Sequence, residues 1–218
     1  NGKDEAVGVG DQIEDVKEMF IKLTAEYIKT EHASKGKEIR QLIDGSEPEE
    51  IYFDGDIEKN KYGSEYFGLG TVAVSHSDKL LAYSLDLKGS EYYTIFIRRI
   101  FDKKTMSSRI KETSGNILFS LDDKYIFYAK LDNNHRPKQI YKHKIGTPIK
   151  NDKLIYEEKN ERFTLGIGLT SDEKYFLISS GDHTTSEVYY FSSNEINPVP
   201  KLFKKSKEGI IYSLNSWN

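Results

Sequence analysis

The sequence predicts an all-β fold, an incomplete β-propeller of about four four-stranded blades with a short N-terminal helix. Three observations predict it. A lysine-centred turn recurs at intervals of 45 and 50 residues, counted from Lys79 to Lys124 and from Lys124 to Lys174. The strand that follows each turn is apolar on both faces. Aromatic residues make up 12% of the chain, with 15 Tyr and 11 Phe beside a single Trp, and aromatic side chains suit pleated, packed surfaces.

The first 25 residues read as a tail and a helix. Asp11 followed by Glu14 makes a capping box, and Ile13, Val16, Phe20 and Leu23 recur at helical spacing over 11–25. It is the one good helix candidate in the sequence. From Glu26 onward short runs alternate with turn clusters. Runs 26–32 and 37–43 flank Ala33-Ser34-Lys35-Gly36 as a hairpin, and a third strand follows at 51–53.

The repeat comes next. Its copies are Ser75-His76-Ser77-Asp78-Lys79-Leu80-Leu81-Ala82-Tyr83, Ser120-Leu121-Asp122-Asp123-Lys124-Tyr125-Ile126-Phe127-Tyr128 and Thr170-Ser171-Asp172-Glu173-Lys174-Tyr175-Phe176-Leu177-Ile178. A strand precedes each turn (71–74, 116–119, 165–169), a strongly apolar one follows it, a third comes next (92–97, 139–144, 187–191), and a weaker fourth closes the unit (108–112, 154–157, 201–204). Four strands in about 45 residues is the period of a propeller blade. The predicted domain is 26–218, with blades at about 26–64, 65–113, 114–162 and 163–208 and the start of a fifth beyond. A strand with one wet face alternates, but Ile126 and Tyr128 are matched by Tyr125 and Phe127 on the other side, as a blade packed between two neighbours requires. A β-sandwich of short strands is the competing arrangement.

Composition narrows the function. The chain has 218 residues, 31% of them charged, with a formal net charge of −3 and no cysteine. Disulfides, thiolate catalysis and Cys-based zinc sites are therefore excluded, and the near balance of charge gives no nucleic-acid footprint. No apolar run approaches the roughly 18 residues of a membrane span. The expectation is a soluble, cytoplasmic protein without membrane or nucleic-acid partners. The chain begins at Asn1 rather than methionine, which fits a processed product or a fragment.

The phrases that fill the repeats carry a resemblance. Gly89-Ser90-Glu91-Tyr92-Tyr93-Thr94, the stretch from His135 to Thr147, Asp152-Lys153-Leu154-Ile155-Tyr156-Glu157-Glu158-Lys159, and the stretch from Asp182 to Tyr189 resemble, in that order, the N-terminal propeller of the oligopeptidase B branch (protease II) of the prolyl oligopeptidase family. The match runs from about Glu26 to Leu214. The resemblance implies a separate α/β-hydrolase domain bearing Ser, Asp and His, capped by a propeller of about seven blades that admits short peptides and excludes folded proteins. It also implies cleavage after Arg or Lys, with the acidic groups that read those side chains mainly in the hydrolase domain. The implied partners are that hydrolase domain, the remaining blades and short basic peptides. The chain departs from the family pattern at both ends, with a shortened N-terminal region and a stop at Ser216-Trp217-Asn218, in mid-blade.

Catalytic chemistry is missing from the text. A nucleophile elbow needs Gly-x-Ser-x-Gly, because its strained strand-to-helix turn tolerates only small neighbours. None is present, and Ser179-Ser180-Gly181 and Ser114-Gly115 read as turns. His76 lies between two serines and before Asp78, but adjacent turn residues project in different directions and cannot form a relay. Asp182, His183 and Glu187 lack the helical face that would gather them around a metal, and Asp132-Asn133-Asn134 lacks the glycine and distal glutamate of a calcium loop. No metal and no cofactor are expected. The basic run Arg136, Lys138, Lys142, His143, Lys144 reads as a solvated strand or a domain contact, and Gly8 and Gly10 as a flexible tail. Glu91 and Glu187 each follow a serine at the start of a third strand. Glu91 is the candidate binding residue, facing the hydrolase domain and pairing with a basic group there on closure, against the simpler reading of a surface glutamate.

The expected role is thus a non-catalytic, gating and size-filtering portion of a peptidase, inactive alone. The alternatives are a stand-alone interaction module and a remnant of a truncated gene. An arc of blades leaves a face open at each end. At about 25 cal/mol/Å², roughly 400 Å² of exposed apolar surface corresponds to about 10 kcal/mol per face, comparable to a domain's whole stability. The isolated chain is therefore expected to be marginal, to oligomerise, or to need a partner.

Overall fold

A computed structural model describes residues 38–41 and 50–217. These residues fall into two compact units divided between Gly63 and Ser64. The expected helix at 11–25 and strand at 26–32 lie outside the described residues.

In the first unit, β1 (Glu38–Gln41) pairs antiparallel with β2 (Glu50–Asp54). The 51–53 strand is therefore the observed partner of the one predicted at 37–43. A helix that the sequence reading missed follows: α1, Gly55–Tyr62. Its signals are local. The Asp54 carboxylate accepts hydrogen bonds from the Asp56 and Ile57 amides, and Gly63 closes the last turn with φ 59°. With no apolar stripe along it, periodicity could not reveal it.

The second unit is three antiparallel meanders. The first is β3 (Gly68–Val74), β4 (Leu80–Asp86), β5 (Tyr93–Arg99) and β6 (Ile110–Thr113). The second is β7 (Leu118–Phe119), β8 (Tyr125–Leu131), β9 (Pro137–Lys144) and β10 (Lys153–Glu157). The third is β11 (Thr164–Leu169), β12 (Tyr175–Gly181), β13 (Ser186–Ser192) and β14 (Lys201–Lys204). A single pairing, Thr113 with Lys130, joins the first two along their edge. Among the described residues the sheets do not close into a barrel.

Side chains from neighbouring meanders make shared cores. Ala82, Ile95, Ile97 and Ile110 of the first meet Ile117, Phe119, Ile126 and Tyr128 of the second. Phe127, Ala129 and Ile140 of the second meet Leu165, Phe176, Ile178 and Phe191 of the third. Alternate residues of β8 thus enter two different cores, the physical meaning of its doubly apolar sequence. Phe127, Phe176 and Phe191 form an aromatic trio with centroids 4.7 to 5.7 Å apart, within the range for favourable ring contacts.

The repeated turn is one structure used three times. The amides of Ser75, Ser120 and Thr170 donate to the carbonyls of Leu80, Tyr125 and Tyr175, while Asp78, Asp123 and Glu173 donate their amides back to Ser75, Ser120 and Thr170. The residue before each lysine, Asp78, Asp123 or Glu173, is left-handed with φ 55° to 57°, a conformation that aspartate tolerates better than most side chains.

One strand expectation fails. Residues 205–217 form no strand, although a fifth-blade strand was expected there. The segment is held instead by scattered bonds to the third meander: Ser186 N–H to the Ile210 carbonyl, Tyr212 N–H to Ser186 Oγ, and Ser171 N–H to Asn215 Oδ1. It has no ladder partner among the described residues, and an extended segment without one does not register as sheet.

Candidate functional site

Neither candidate serine stands on a nucleophile elbow. Ser180 is fully buried in β12 and donates its hydroxyl to Glu158. Ser114 follows β6, its amide on the Ala129 carbonyl and its buried Oγ without a partner. Both are strand or turn positions rather than the strand-to-helix bend that catalysis needs.

Three aspartates organise turns, among them Asp132 and Asp182 of the segments considered above for metal binding. Asp86, Asp132 and Asp182 occupy similar places in the three meanders: Asp86 ends its second strand, and Asp132 and Asp182 lie one residue beyond theirs. Asp86 accepts the amides of Lys88, Gly89 and Glu91; Asp132 those of Asn134 and Arg136; Asp182 those of Thr184 and Thr185. Burial opposes ionisation of Asp86 and Asp132, but these amides overcome it and hold both carboxyls below their ordinary range. The Thr184 amide and hydroxyl, with Arg162, bring Asp182 down to about 2. His183 is exposed. No cluster of three or more His, Asp or Glu able to hold a metal ion occurs among the described residues.

Glu91 is exposed in the β4–β5 turn, with φ 60° and its amide on Asp86 Oδ2 at 2.7 Å. Glu187 proves unlike it. It lies within β13, where its carboxylate accepts the Tyr189 hydroxyl at 2.6 Å and the Ser206 amide at 3.1 Å. The likeness of the two in sequence does not extend to their surroundings, because Glu91 precedes its strand and Glu187 is inside one.

His76 stands where three turns meet, with Nδ1 3.4 Å from Asp123 and Nε2 3.8 Å from Glu173. Asp123 also accepts the amides of His76 and Ser77, at 2.8 and 2.7 Å. The second and third meanders thus reach back to the first at these tips. In the third meander, the amides of Ser171 and Asp172 find Asn215 Oδ1 and the Ser216 carbonyl.

The five residues of the basic run, Arg136 just before β9 and the other four within it, have different surroundings. Arg136 bonds Asp132 and the Glu161 carbonyl, and Lys138 bonds the Phe163 and Asn160 carbonyls. His143 is fully buried, with Nδ1 2.6 Å from Asp152 Oδ1. The other oxygen of Asp152 accepts the Tyr128 hydroxyl at 2.9 Å; burial and that carboxylate hold the Tyr128 phenol far above its ordinary range. Lys142, on the opposite face, lines a cavity of about 300 Å³ between the second and third meanders. Only Lys144 is exposed. Period-two alternation along β9 separates Lys142 from His143, a signal present in the sequence but masked because both are basic residue types.

Three four-stranded antiparallel meanders, stacked through shared apolar faces and turned by one repeated device, define a β-propeller repeat protein. The family described as the prolyl oligopeptidase N-terminal β-propeller domain matches residues 25–218. The chain belongs to it. Protease 2 of Moraxella lacunata is 26% identical over 188 residues, which cover 85% of this chain and 27% of that protein. Dipeptidyl aminopeptidase BI of Pseudoxanthomonas mexicana is 31% identical over 134 residues, covering 61% of this chain and 18% of that protein. Oligopeptidase B from Leishmania major has a similar fold, with a TM-score of 0.77 at 24% identity over 83% of this chain and 26% of that one. Oligopeptidase B from Trypanosoma brucei, in closed form with covalently bound antipain, gives 0.73 at 21% identity over 95% of this chain and 32% of that one. The chain spans 18–32% of the length of these four proteins. No helix among the described residues is long and apolar enough to cross a membrane.

Proposed function

We propose that this chain is the non-catalytic propeller portion of an oligopeptidase B-like serine peptidase, governing access of short peptides to an α/β-hydrolase domain that cleaves after Arg or Lys. The observation that carries the reading is the match over residues 25–218 to the propeller domain of this peptidase family. In the complete enzyme the partners are the hydrolase domain, the remaining blades and short basic peptides, and the compartment is the cytoplasm. The contribution of the chain is steric and conformational: opening admits substrate and closure completes the site. Glu91, exposed in its turn, faces the hydrolase domain and pairs with a basic side chain there on closure.

The test uses the full-length polypeptide and compares hydrolysis of a short Arg- or Lys-containing peptide with the same sequence held inside a folded protein. Cleavage of the short peptide alone is expected. Loosening the meander contact with Phe127→Ala should let the folded substrate be cut, while equal cleavage of both substrates by the unaltered enzyme overturns the filter. Glu91→Lys should slow turnover of the short peptide, and unchanged activity removes Glu91 from the reading. Amidase activity intrinsic to the 218 residues alone would contradict the assignment of roles.

A second reading, an interaction module, is favoured by exposed apolar side chains near the end of the described chain: Phe203, Ile211 and Trp217 are 54%, 62% and 82% exposed. Such surface is characteristic of a contact site. A concentration-independent monomer with a sharp melt would count against it.

A further inference from the structure

The cavity between the second and third meanders holds a buried cation without a direct ion pair, although the Asp122 carboxylate on the same wall favours its charge. Lys142 is 5% exposed. Its ammonium donates to the Ile196 carbonyl at 2.7 Å and lies 3.8 Å from the centroid of the Tyr125 ring. An ammonium carries three donors, so hydrogen-bonding capacity remains beyond that carbonyl. No carboxylate among the described residues lies within ion-pair distance of it. A buried cation in this state is costly unless something pairs with it, and burial accordingly depresses the Lys142 pKa.

The other charges around the cavity are disposed differently. Asp122 is already engaged by the Ser120 hydroxyl, the Lys124 amide and the Lys124 ammonium, at 2.7, 3.2 and 3.2 Å. Lys153, the other nearby cation, bonds Asn197 Oδ1 at 3.0 Å. Glu195 also lines the cavity, and its carboxylate has no partner among the described residues. The space therefore offers an unpaired cation, an unpaired anion and an aromatic wall of Tyr125 and Phe127.

We propose that this cavity binds a small zwitterion, an α-amino acid or a dipeptide, with its carboxylate on Lys142 and its ammonium on Glu195. Each group of the ligand completes one that the protein leaves unpaired, so neither a simple carboxylate nor a simple amine satisfies both. The cavity volume of about 300 Å³ accommodates either ligand. Because its walls come from β8, β9 and the β13–β14 connection, occupancy ties the second meander to the third. The proposal does not depend on the assignment to a peptidase.

Isothermal titration of the full-length polypeptide with glycine, glycylglycine, acetate and methylammonium tests it. Glycine or glycylglycine should bind, acetate about tenfold more weakly because Glu195 stays unpaired, and methylammonium not measurably. The relative affinities of glycine and glycylglycine distinguish the two sources of the zwitterion. Lys142→Met should abolish binding. Glu195→Gln, at the partly exposed rim, should bring glycine down to the level of acetate, and it decides the matter even if Lys142→Met fails to fold. If neither zwitterion binds, or both bind equally well to wild type and Glu195→Gln, the proposal is overturned and Lys142 is a structural strut only.

Discussion

β8 and β12 follow the same turn, hold the same place in their meanders and differ in what covers them. In β8, Ile126 and Tyr128 enter one core and Phe127 and Ala129 the other. In β12, Phe176, Ile178 and Ser180 are buried, whereas Tyr175 and Ser179 on the other face are exposed and Leu177 is half-buried. Segment 205–217 reaches only part of that face, where Val188 is 1% exposed and its amide donates to the Tyr212 hydroxyl. Strand position in the repeat therefore does not set burial. A neighbour on each side does.

The largest effect that probes this contrast is Phe127→Ala, which removes the centre of an aromatic trio. A loss of about 3–5 kcal/mol is expected in denaturant unfolding. Tyr175→Ala, at the turn exit of β12 where β8 has Tyr125 and on the same open face as Leu177, the counterpart of Phe127, is 37% exposed and should cost less than about 1 kcal/mol. Equal costs would break the comparison. A rise in the cost of Tyr175→Ala when further blades are present would sharpen it.

A smaller effect separates the meanders by pH. The folded pKa of Asp182 is about 2 against an ordinary 3.8. A depressed carboxyl contributes stability that is present above the unfolded value and is lost as pH falls through the folded one. The wild type should weaken between about pH 4 and 2, and Asp182→Asn should be less stable at neutral pH with a flatter acid limb. An unchanged acid limb in that variant counts against this account of the turn.

The repeat was legible because each turn needs a left-handed residue, and an acidic residue before lysine supplied it at Asp78, Asp123 and Glu173. The doubly apolar text of β8 was legible for the same kind of reason, since two cores demand two apolar faces. Helix α1 was not, because its caps at Asp54 and Gly63 are local and no apolar stripe announces it. The cavity was hidden by a compositional likeness. Lys142 and His143 look like two members of a basic run, yet strand geometry sends one to the third meander and the other to Asp152. Glu91 was found as an exposed acid, but its likeness to Glu187 ended where backbone position differed.

The third turn carries glutamate where the second carries aspartate. Asp123 reaches the amides of His76 and Ser77, but Glu173 turns toward the His76 ring, and the amides of Leu121 and Asp122 have no acceptor among the described residues. No acceptor among the described residues holds their protons, while those at the neighbouring turn are held. In deuterated water, the tip of the second meander should therefore label ahead of the first, so one added methylene sets the order in which equivalent corners of a repeat meet the solvent.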